Sequence, residues 1–201
     1  MSATTSNSAG PVATGDLVLL RHAARRDGKE LMALRKRSLP RLRLWDPKPA
    51  KGQTLWGQDW FDRLLASRRD AAFCKLLVCR ADDGAIVGGA SLNSIIRGPF
   101  HNAFAGWWLG DPFEGHGYMT EALTLLLAHG FGPLRLHRIE ANIRPENERS
   151  KRLAERVGFR LEGYSPRYLQ IAGAWADHER YAIVVEEWKA ARRGAGRRRR
   201  T

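Results

Sequence analysis

The segment from Trp107 to Ala122 contains residue types that can bind a negatively charged group. Gly115 and Gly117 flank His116, and apolar residues with helical spacing follow them. Glycine lets a ligand approach the backbone without a Cβ in the way, and the free amides at a helix start attract anions. We therefore predict that a phosphate or pyrophosphate binds the amides from Gly115 to Thr120. A tight turn without a ligand is the alternative that two glycines alone allow.

A second pair of polar residues, Asn147 and Ser150, lies three positions apart on a predicted helix. This spacing places both side chains on one helix face. Asn147 is a suitable cap for the start of that helix, and Gly158 is a suitable end. The Ser150 hydroxyl either bonds to the helix end or faces a functional site, and the spacing alone allows both roles.

Hydrophobic patterns predict the elements that position these residues. The run from Phe104 to Leu109 is aromatic and aliphatic, as strands are, and Gly110 and Pro112 end it. Four helices are predicted: one after Asp27, one from Trp56 to Leu65, one after Gly117 and one after Asn147. The other predicted strands are Leu17 to Arg21, Ala72 to Arg80, Ala85 to Ser94, Arg138 to Ile143, Phe159 to Tyr168 and Ala176 to Val185.

The segment Gly115–Ala122 resembles the acetyl-CoA loop of the GNAT acetyltransferases, in the form found in the RimJ/RimL ribosomal-protein N-terminal acetyltransferases. The segment Pro145–Phe159 is similar to the Asn-x-x-Ser…Gly-Phe motif that follows the fifth strand of that family. Arg97–His101 and Trp175–His178 also resemble RimJ-like sequences. The resemblance extends from Asp16 to Trp188 and so covers most of the chain.

The resemblance implies a fold and a domain organisation. The fold is α+β, with one mixed central sheet of about six to seven strands, about four flanking helices and a splay between the fourth and fifth strands. The GNAT domain is expected at residues 15–190. Composition predicts a disordered leader at residues 1–14 and a disordered basic tail at residues 191–201.

The resemblance also implies acetyl-CoA as co-substrate, with no metal ion. In this family the pyrophosphate lies on the glycine loop, pantetheine lies along the fourth strand, and a backbone amide there stabilises the oxyanion. Ser150 is the implied proton donor to the thiolate. The residues that the resemblance assigns to the cofactor are Trp107, Trp108, Leu109, Gly115, His116, Gly117, Tyr118, Met119, Thr120, Asn147 and Ser150.

The resemblance leaves the general base unassigned. Ala154 stands where many members carry a tyrosine acid, and Arg167 stands where RimL-like enzymes carry a glutamate. An α-amine titrates near about 7.7–8.0, so that a water chain can suffice as base, whereas a lysine near about 10.4 needs more help. This favours an N-terminal amine as acceptor. The candidate catalytic residues are Ser150, Glu140 and His178, and His101 and Asp177 are further candidates for the base.

Three residues are candidates for the acceptor pocket: Trp45, His101 and Tyr168. Trp45 lies in a segment where prolines bar regular structure, and RimJ-like proteins carry a similar segment near the acceptor site. Trp45 is therefore either a packing anchor or a wall of that pocket.

The leading hypothesis is an acetyl-CoA-dependent N-acetyltransferase that acts on a protein N-terminus, with a ribosomal protein that starts with Ala or Ser as acceptor. The first alternative is the same chemistry on a small amine, such as an antibiotic or a polyamine. The second alternative is an inactive CoA-fold module that binds the ribosome or RNA. Pro112, in place of the usual Gln or Arg, allows this alternative, whereas the Asn147 and Ser150 pair opposes it.

Composition bounds the partners and the compartment. The chain has 201 residues, 43% hydrophobic content and a formal net charge of +13, which suits one globular domain. Neither a membrane helix nor a secretory signal is predicted, so we expect a cytoplasmic monomer or homodimer. The arginines of residues 192–200 predict weak binding of a polyanion such as ribosomal RNA, and a solvated tail without a partner is the alternative. Cys74 and Cys79 are expected to lie reduced on opposite faces of one strand.

Overall fold

One sheet of eight strands forms the centre of the protein. The computed structural model describes residues 10–47 and 49–198. The strands are β1 Ala13–Thr14, β2 Val18–Arg21, β3 Cys74–Arg80, β4 Ile86–Ile96, β5 Asn102–Leu109, β6 Arg138–Ile143, β7 Arg160–Ile171 and β8 Ala174–Val184. Their order in the sheet is β1-β2-β3-β4-β5-β6-β8-β7. Neighbouring strands are antiparallel except β5 and β6, which are parallel.

Helices cover both faces of this sheet. They are α1 Gly28–Leu42, α2 Gln58–Ala66, α3 Tyr118–Phe131, α4 Glu148–Arg156 and α5 Val185–Arg198. The first two pack on one face, where Leu31 and Phe61 are buried. The other three lie on the opposite face, where Leu123 and Trp188 are buried. The alternation of side chains along each strand supplies apolar residues to both layers.

The parallel strands β5 and β6 pair over three residues only, Asn102 to Phe104 with Arg138 to Glu140. Beyond these pairs, β5 continues along β4 and β6 continues along β8. The two strands therefore diverge and leave a gap. The predicted α+β fold, with a splay between the predicted fourth and fifth strands, is confirmed.

A carboxylate fixes the start of α3, the helix that follows the glycine loop. Glu121 accepts bonds from the backbone N–H groups of Asp16, Leu17 and Val18 at 2.9, 2.7 and 2.7 Å. Bonds from amides to an ionised carboxylate are among the stronger ones in proteins. The first turn of α3 is therefore tied to β2, which holds the glycine loop in place.

Two elements lie where the sequence predicts disorder. Strand β1 pairs with β2 inside the predicted leader, and α5 extends to Arg198 through part of the predicted tail. The strand has only two residues and carries no alternating pattern. The helix is anchored by the buried Trp188, and its alanines and arginines favour helix. The described residues thus form eight strands and five α-helices, where about six to seven strands and about four helices were expected.

The rest of those two predictions, residues 1–9 and 199–201, lies outside the described part of the chain. No helix within the described part has the length and apolar character that a membrane crossing requires.

Asp27 directly precedes α1, but its side chain does not cap that helix. Its carboxylate binds the Arg21 guanidinium at 2.6 Å and accepts a bond from the Ala24 N–H at 2.7 Å. Asp27 is buried, and a buried charge needs a close partner of opposite sign. Burial acts to raise the pKa of Asp27, but the bonds from Arg21 and from the Ala24 N–H outweigh it and lower the pKa.

Cys74 and Cys79 are both free and buried, and they belong to the cores on opposite faces of the sheet. This confirms the prediction from their odd spacing on one strand. Burial raises the pKa of each thiol to about 11, so both are unreactive core residues at neutral pH.

Candidate active site

The gap between β5 and β6 opens into a cleft of about 1240 Å³. This is larger than a pocket for one small ligand, which is roughly 300–1,000 Å³, and leaves room for a long ligand beside a second substrate. Most of the residues predicted from the sequence line this cleft. They are Trp45, Trp107, Trp108, Leu109, Gly115, Gly117, Tyr118, Met119, Thr120, Asn147, Ser150 and His178.

The loop before α3 presents a row of unpaired amides. Gly115 and Gly117 have φ values of +82° and +79°, which glycine adopts without strain. The N–H groups of residues 115–119 have no hydrogen-bond acceptor in the described part of the chain; the helix bonds start at Thr120, which donates to the Gly117 carbonyl at 3.0 Å. Free donors at the positive end of a 14-residue helix are the features that an anion site requires.

His116 lies between the two glycines of this loop. Its ring is exposed and stacks on the Tyr118 ring with 5.4 Å between centroids. The side chain is outside the lining of the cleft, so only the backbone N–H of His116 belongs to the anion site.

Backbone alternation determines which residues of β5 face the gap. The N–H of Gly110 donates to β4, and successive residues of a strand turn their backbone groups opposite ways. Leu109 and Trp107 therefore face the gap, where the Leu109 carbonyl accepts a 2.7 Å bond from Arg41. Trp108 turns its backbone toward β4, and its ring contributes to the cleft wall instead.

Asn147 caps α4 as predicted, because its Oδ1 accepts a 3.2 Å bond from the Ser150 N–H. Within the described residues, neither the Asn147 amide Nδ2 nor the Ser150 hydroxyl has a hydrogen-bond partner, and both residues line the cleft. The capping role considered for the Ser150 hydroxyl is thus filled by Asn147. The hydroxyl is free to contact a ligand.

His178 is the imidazole in the cleft lining. The residue is buried, and its Nδ1 lies 3.0 Å from the Ala176 carbonyl oxygen. With Nδ1 assigned as the donor of this bond, Nε2 carries the lone pair. Burial lowers the pKa of His178, so the ring is neutral at neutral pH and can accept a proton. The Tyr168 ring packs against it at 5.8 Å, beside the cleft rather than in its lining.

Glu140 and His101 lie outside the cleft lining. Glu140 accepts bonds from Arg138 at 2.9 Å and from Asn102 at 3.0 Å. His101 precedes β5, at the opposite end of that strand from Leu109, and its Nδ1 lies 3.2 Å from the Arg135 carbonyl. These contacts and positions give both residues structural roles. Neither Glu140 nor His101 is therefore among the predicted site residues that the cleft brings together.

Ion pairs that were not predicted from the sequence cross the mouth of the cleft. Arg149 on α4 binds Glu114 at 2.5 Å, and Glu114 binds Arg41 at 3.0 Å. They connect the β6 side with the β5 side next to the glycine loop. A guanidinium in this place is also a suitable partner for a phosphate. The signal was present in the sequence, because Glu114 directly precedes the loop and Arg149 lies inside the Asn-x-x-Ser motif.

Another contact joins the loop after α1 to the end of β6. Arg144 donates to the Leu44 carbonyl at 3.2 Å, and its guanidinium carbon lies 5.6 Å from the centroid of the Trp45 ring. Trp45 therefore packs against Arg144 and also lines the cleft; its role as a wall of the acceptor pocket stays a prediction. Pro47 of the same loop forms an isolated antiparallel β-bridge with Ile171 of β7.

Comparison with known proteins gives the family. Residues 18–160 match the model of the acetyltransferase (GNAT) domain. The chain belongs to the GNAT acetyltransferase family. The [ribosomal protein uS5]-alanine N-acetyltransferase of Escherichia coli K12 is 39% identical to this GNAT protein over 111 residues, which are 55% of this chain and 57% of the relative. The probable N-acetyltransferase YjcK of Bacillus subtilis is 42% identical over 52% of this chain and 58% of its own. The chain thus spans a little over half the length of these curated relatives.

Solved structures match over more of the chain. Mycobacterium smegmatis RimJ in complex with CoA-disulfide superposes with a TM-score of 0.78 at 33% identity, over 85% of this GNAT protein and 83% of that chain. The ribosomal-protein-S5-alanine acetyltransferase of Vibrio fischeri has a TM-score of 0.77 at 27% identity, over 88% and 97% of the two chains. The splayed sheet is therefore shared by proteins of this family.

We predict that Gly117→Val weakens the binding of CoA by about tenfold to a hundredfold, because amide bonds to a charged group are lost. The valine side chain lies where the phosphate approaches, and its φ is strained. Gly117→Asn, which tolerates the left-handed region better, should weaken CoA binding with a smaller loss of stability. Calorimetric titration with CoA measures the affinity of both variants, and thermal unfolding measures their stability.

Gly173→Val is the matched control for this prediction. Gly173 also has a left-handed φ, of +93°, and open space around its Cβ position, but it lies between β7 and β8 outside the cleft lining. This control should lose stability and keep the CoA affinity. Unchanged CoA affinity in both Gly117 variants would contradict the prediction that the glycine loop binds the phosphates.

Proposed function

We propose that this protein is an acetyl-CoA-dependent N-acetyltransferase that acetylates the α-amine of a protein N-terminus, with a ribosomal protein that begins with Ala or Ser as acceptor. The observation that carries the proposal is the row of free N–H groups at residues 115–119 beside the unpaired edge of β5. The names of the Escherichia coli and Vibrio fischeri relatives support the choice of acceptor. A cytoplasmic location stays a prediction from the sequence.

The residues of the cleft fit CoA. The five amides and Arg149 supply donors for the pyrophosphate, and the Asn147 amide and the backbone of Trp107 supply donors and acceptors for the amides of pantetheine. The co-substrate provides an activated acetyl group as a thioester. The N–H groups of β5 that face the gap are placed to stabilise negative charge on the thioester oxygen.

Acetyl transfer forms one C–N bond, breaks one C–S bond and moves one proton from the amine to the departing sulfur. We assign the donation of a proton at the sulfur to the Ser150 hydroxyl, since it lies free in the cleft. We assign the acceptance of the proton from the amine to Nε2 of His178, directly or through water, because the buried ring is neutral.

The charge of the cleft favours a peptide amine over a polyamine. Arginine and lysine side chains outnumber carboxylates in its lining. A polycation such as spermidine would meet like charges along such a wall. A peptide carries one ammonium group at its end and neutral amides after it. Small amines are the second class of candidate acceptor, and they serve as the comparison in the assay described next.

We predict that the protein acetylates short peptides that begin with Ala or Ser and releases free CoA in equal amount. Peptides of the same sequence with a blocked α-amine but a free lysine should react far more slowly, since their ammonium group loses its proton less readily. Spermidine and an aminoglycoside complete the panel, and the rate of thiol release is the measurement. Faster turnover of spermidine or the aminoglycoside than of every peptide would overturn the proposed acceptor.

We predict that Ser150→Ala lowers kcat by roughly ten- to a thousandfold, the usual effect of losing an acid catalyst, while KM for acetyl-CoA stays close to wild type. The melting temperature should change little, since Asn147 provides the cap of α4. Ser150→Thr retains a hydroxyl and should keep more activity than the alanine variant. A stable Ser150→Ala variant with full activity would contradict the assignment and would mean that a water molecule or His178 donates the proton.

A further inference from the structure

A buried guanidinium lies in the wall of the cleft, away from the glycine loop. Arg35 of α1 is 4% exposed and lines the cleft. Its guanidinium carbon lies 4.8 Å from the ring centroid of Trp108 and 5.7 Å from that of Trp60. Burial of a charge costs free energy unless a partner of opposite sign compensates it. A leucine would fill the same wall without that cost.

The partner of Arg35 is Asp46, which follows the loop after α1. The Arg35 Nη2 donates to Asp46 Oδ2 at 2.7 Å, and Nε donates to the Leu55 carbonyl at 3.3 Å. The third donor, Nη1, is buried and has no hydrogen-bond partner in the described part of the chain. The hydrogen bonds of Arg35 are therefore incomplete within the described residues, although Asp46, the Leu55 carbonyl and two tryptophan rings contact its guanidinium.

The carboxylate is the member of this pair that the cleft can reach. The Asp46 side chain is 17% exposed against 5% for Arg35, and Asp46 also lines the cleft. Its Oδ2 is taken by Arg35, and within the described residues Oδ1 has no donor. Burial raises the pKa of Asp46, which the Arg35 guanidinium opposes.

The other carboxylates of the cleft lining are bound in ion pairs, and two of them are largely exposed to solvent. Glu114 is bound by two arginines. Glu146 and Glu148 are paired with Arg144 and Lys151, and their side chains are 63% and 57% exposed. Asp46 is thus the largely buried carboxylate of the lining that keeps an oxygen without a donor among the described residues, and an ammonium group would supply that donor.

The position of Asp46 suits the acceptor side of the reaction. Arg35 stacks on Trp108, and Trp108 adjoins Trp107, whose backbone faces the gap. The ion pair is therefore next to the strand along which the proposed thioester lies. The glycine loop and Arg149, which fit phosphate, belong to other elements of the cleft.

We propose that Asp46 binds the ammonium form of the acceptor amine, and that Arg35 is the positioning residue that holds the Asp46 carboxylate toward the cleft. That this amine is a peptide N-terminus rests on the proposed function. The carboxylate orients the ammonium group and stays ionised. The ammonium group first loses one proton to water, and the neutral amine then loses its second proton to His178 as the C–N bond forms and the C–S bond breaks.

Asp46→Asn tests the assignment, because it keeps the shape of the side chain and removes its charge. We expect KM for an Ala-starting peptide to rise about tenfold to a hundredfold, the usual effect of losing a bond to a charged group. KM for acetyl-CoA should stay within about twofold, because the anion site lies elsewhere. Asp46→Glu should recover part of the lost peptide affinity.

Asp27→Asn is the matched control. Asp27 and Arg21 form another largely buried ion pair, at 2.6 Å, and neither residue lines the cleft. This control should lower the melting temperature and leave both KM values unchanged. If Asp46→Asn is too unstable, the double variant Arg35→Met and Asp46→Leu removes both charges, which cores often tolerate, and should show the same rise in peptide KM.

Binding of the acetylated peptide separates charge recognition from a general disturbance of the cleft. The product has no ammonium group, so its affinity for the CoA complex should be the same in wild type and Asp46→Asn. An equal loss for both peptides, or a peptide KM that changes no more than in Asp27→Asn, would overturn the assignment. If wild type acetylates spermidine and no peptide, the proposed function fails, whereas the KM for spermidine in Asp46→Asn still decides the role of Asp46.

Discussion

The early end of the pairing between β5 and β6 is the constraint on which the site depends. Buried backbone groups need hydrogen-bond partners, yet after Phe104 the side of β5 that faces β6 has none from that strand. The outer sides of both strands stay paired, with β4 as far as Leu109 and with β8 as far as Ile143. The sheet thus holds the gap open from both sides and offers its unpaired edge to a ligand.

Charges around this gap divide the cleft into two chemical regions. Next to the glycine loop, free amides and Arg149 suit the phosphates of a nucleotide. On the side of α1, the Arg35 guanidinium packs against the rings of Trp60 and Trp108 and binds the Asp46 carboxylate. An anionic co-substrate and a cationic acceptor can therefore enter one cleft and meet at β5. A buried arginine is costly, and this division gives a physical reason for Arg35.

The sequence predicted the parts of the fold and site that depend on short local patterns. Gly115 and Gly117 indicate a glycine loop before a helix, and Asn147 indicates a helix cap, because each pattern depends only on neighbours along the chain. The pairing of Arg35 with Asp46 joins residues whose contact depends on how α1 turns into its loop. The contacts of Glu140 could not be predicted for the same reason, since its partners Arg138 and Asn102 come together only in the folded sheet.

Amide hydrogen exchange at residues 115–119, with and without CoA, tests the central claim most directly. In the free protein these N–H groups have no acceptor among the described residues, so they should exchange fast. The account predicts that saturating CoA slows exchange at these five amides, while exchange at Gly173 between β7 and β8 stays the same. Unchanged exchange at residues 115–119, under conditions where calorimetry shows bound CoA, would contradict it.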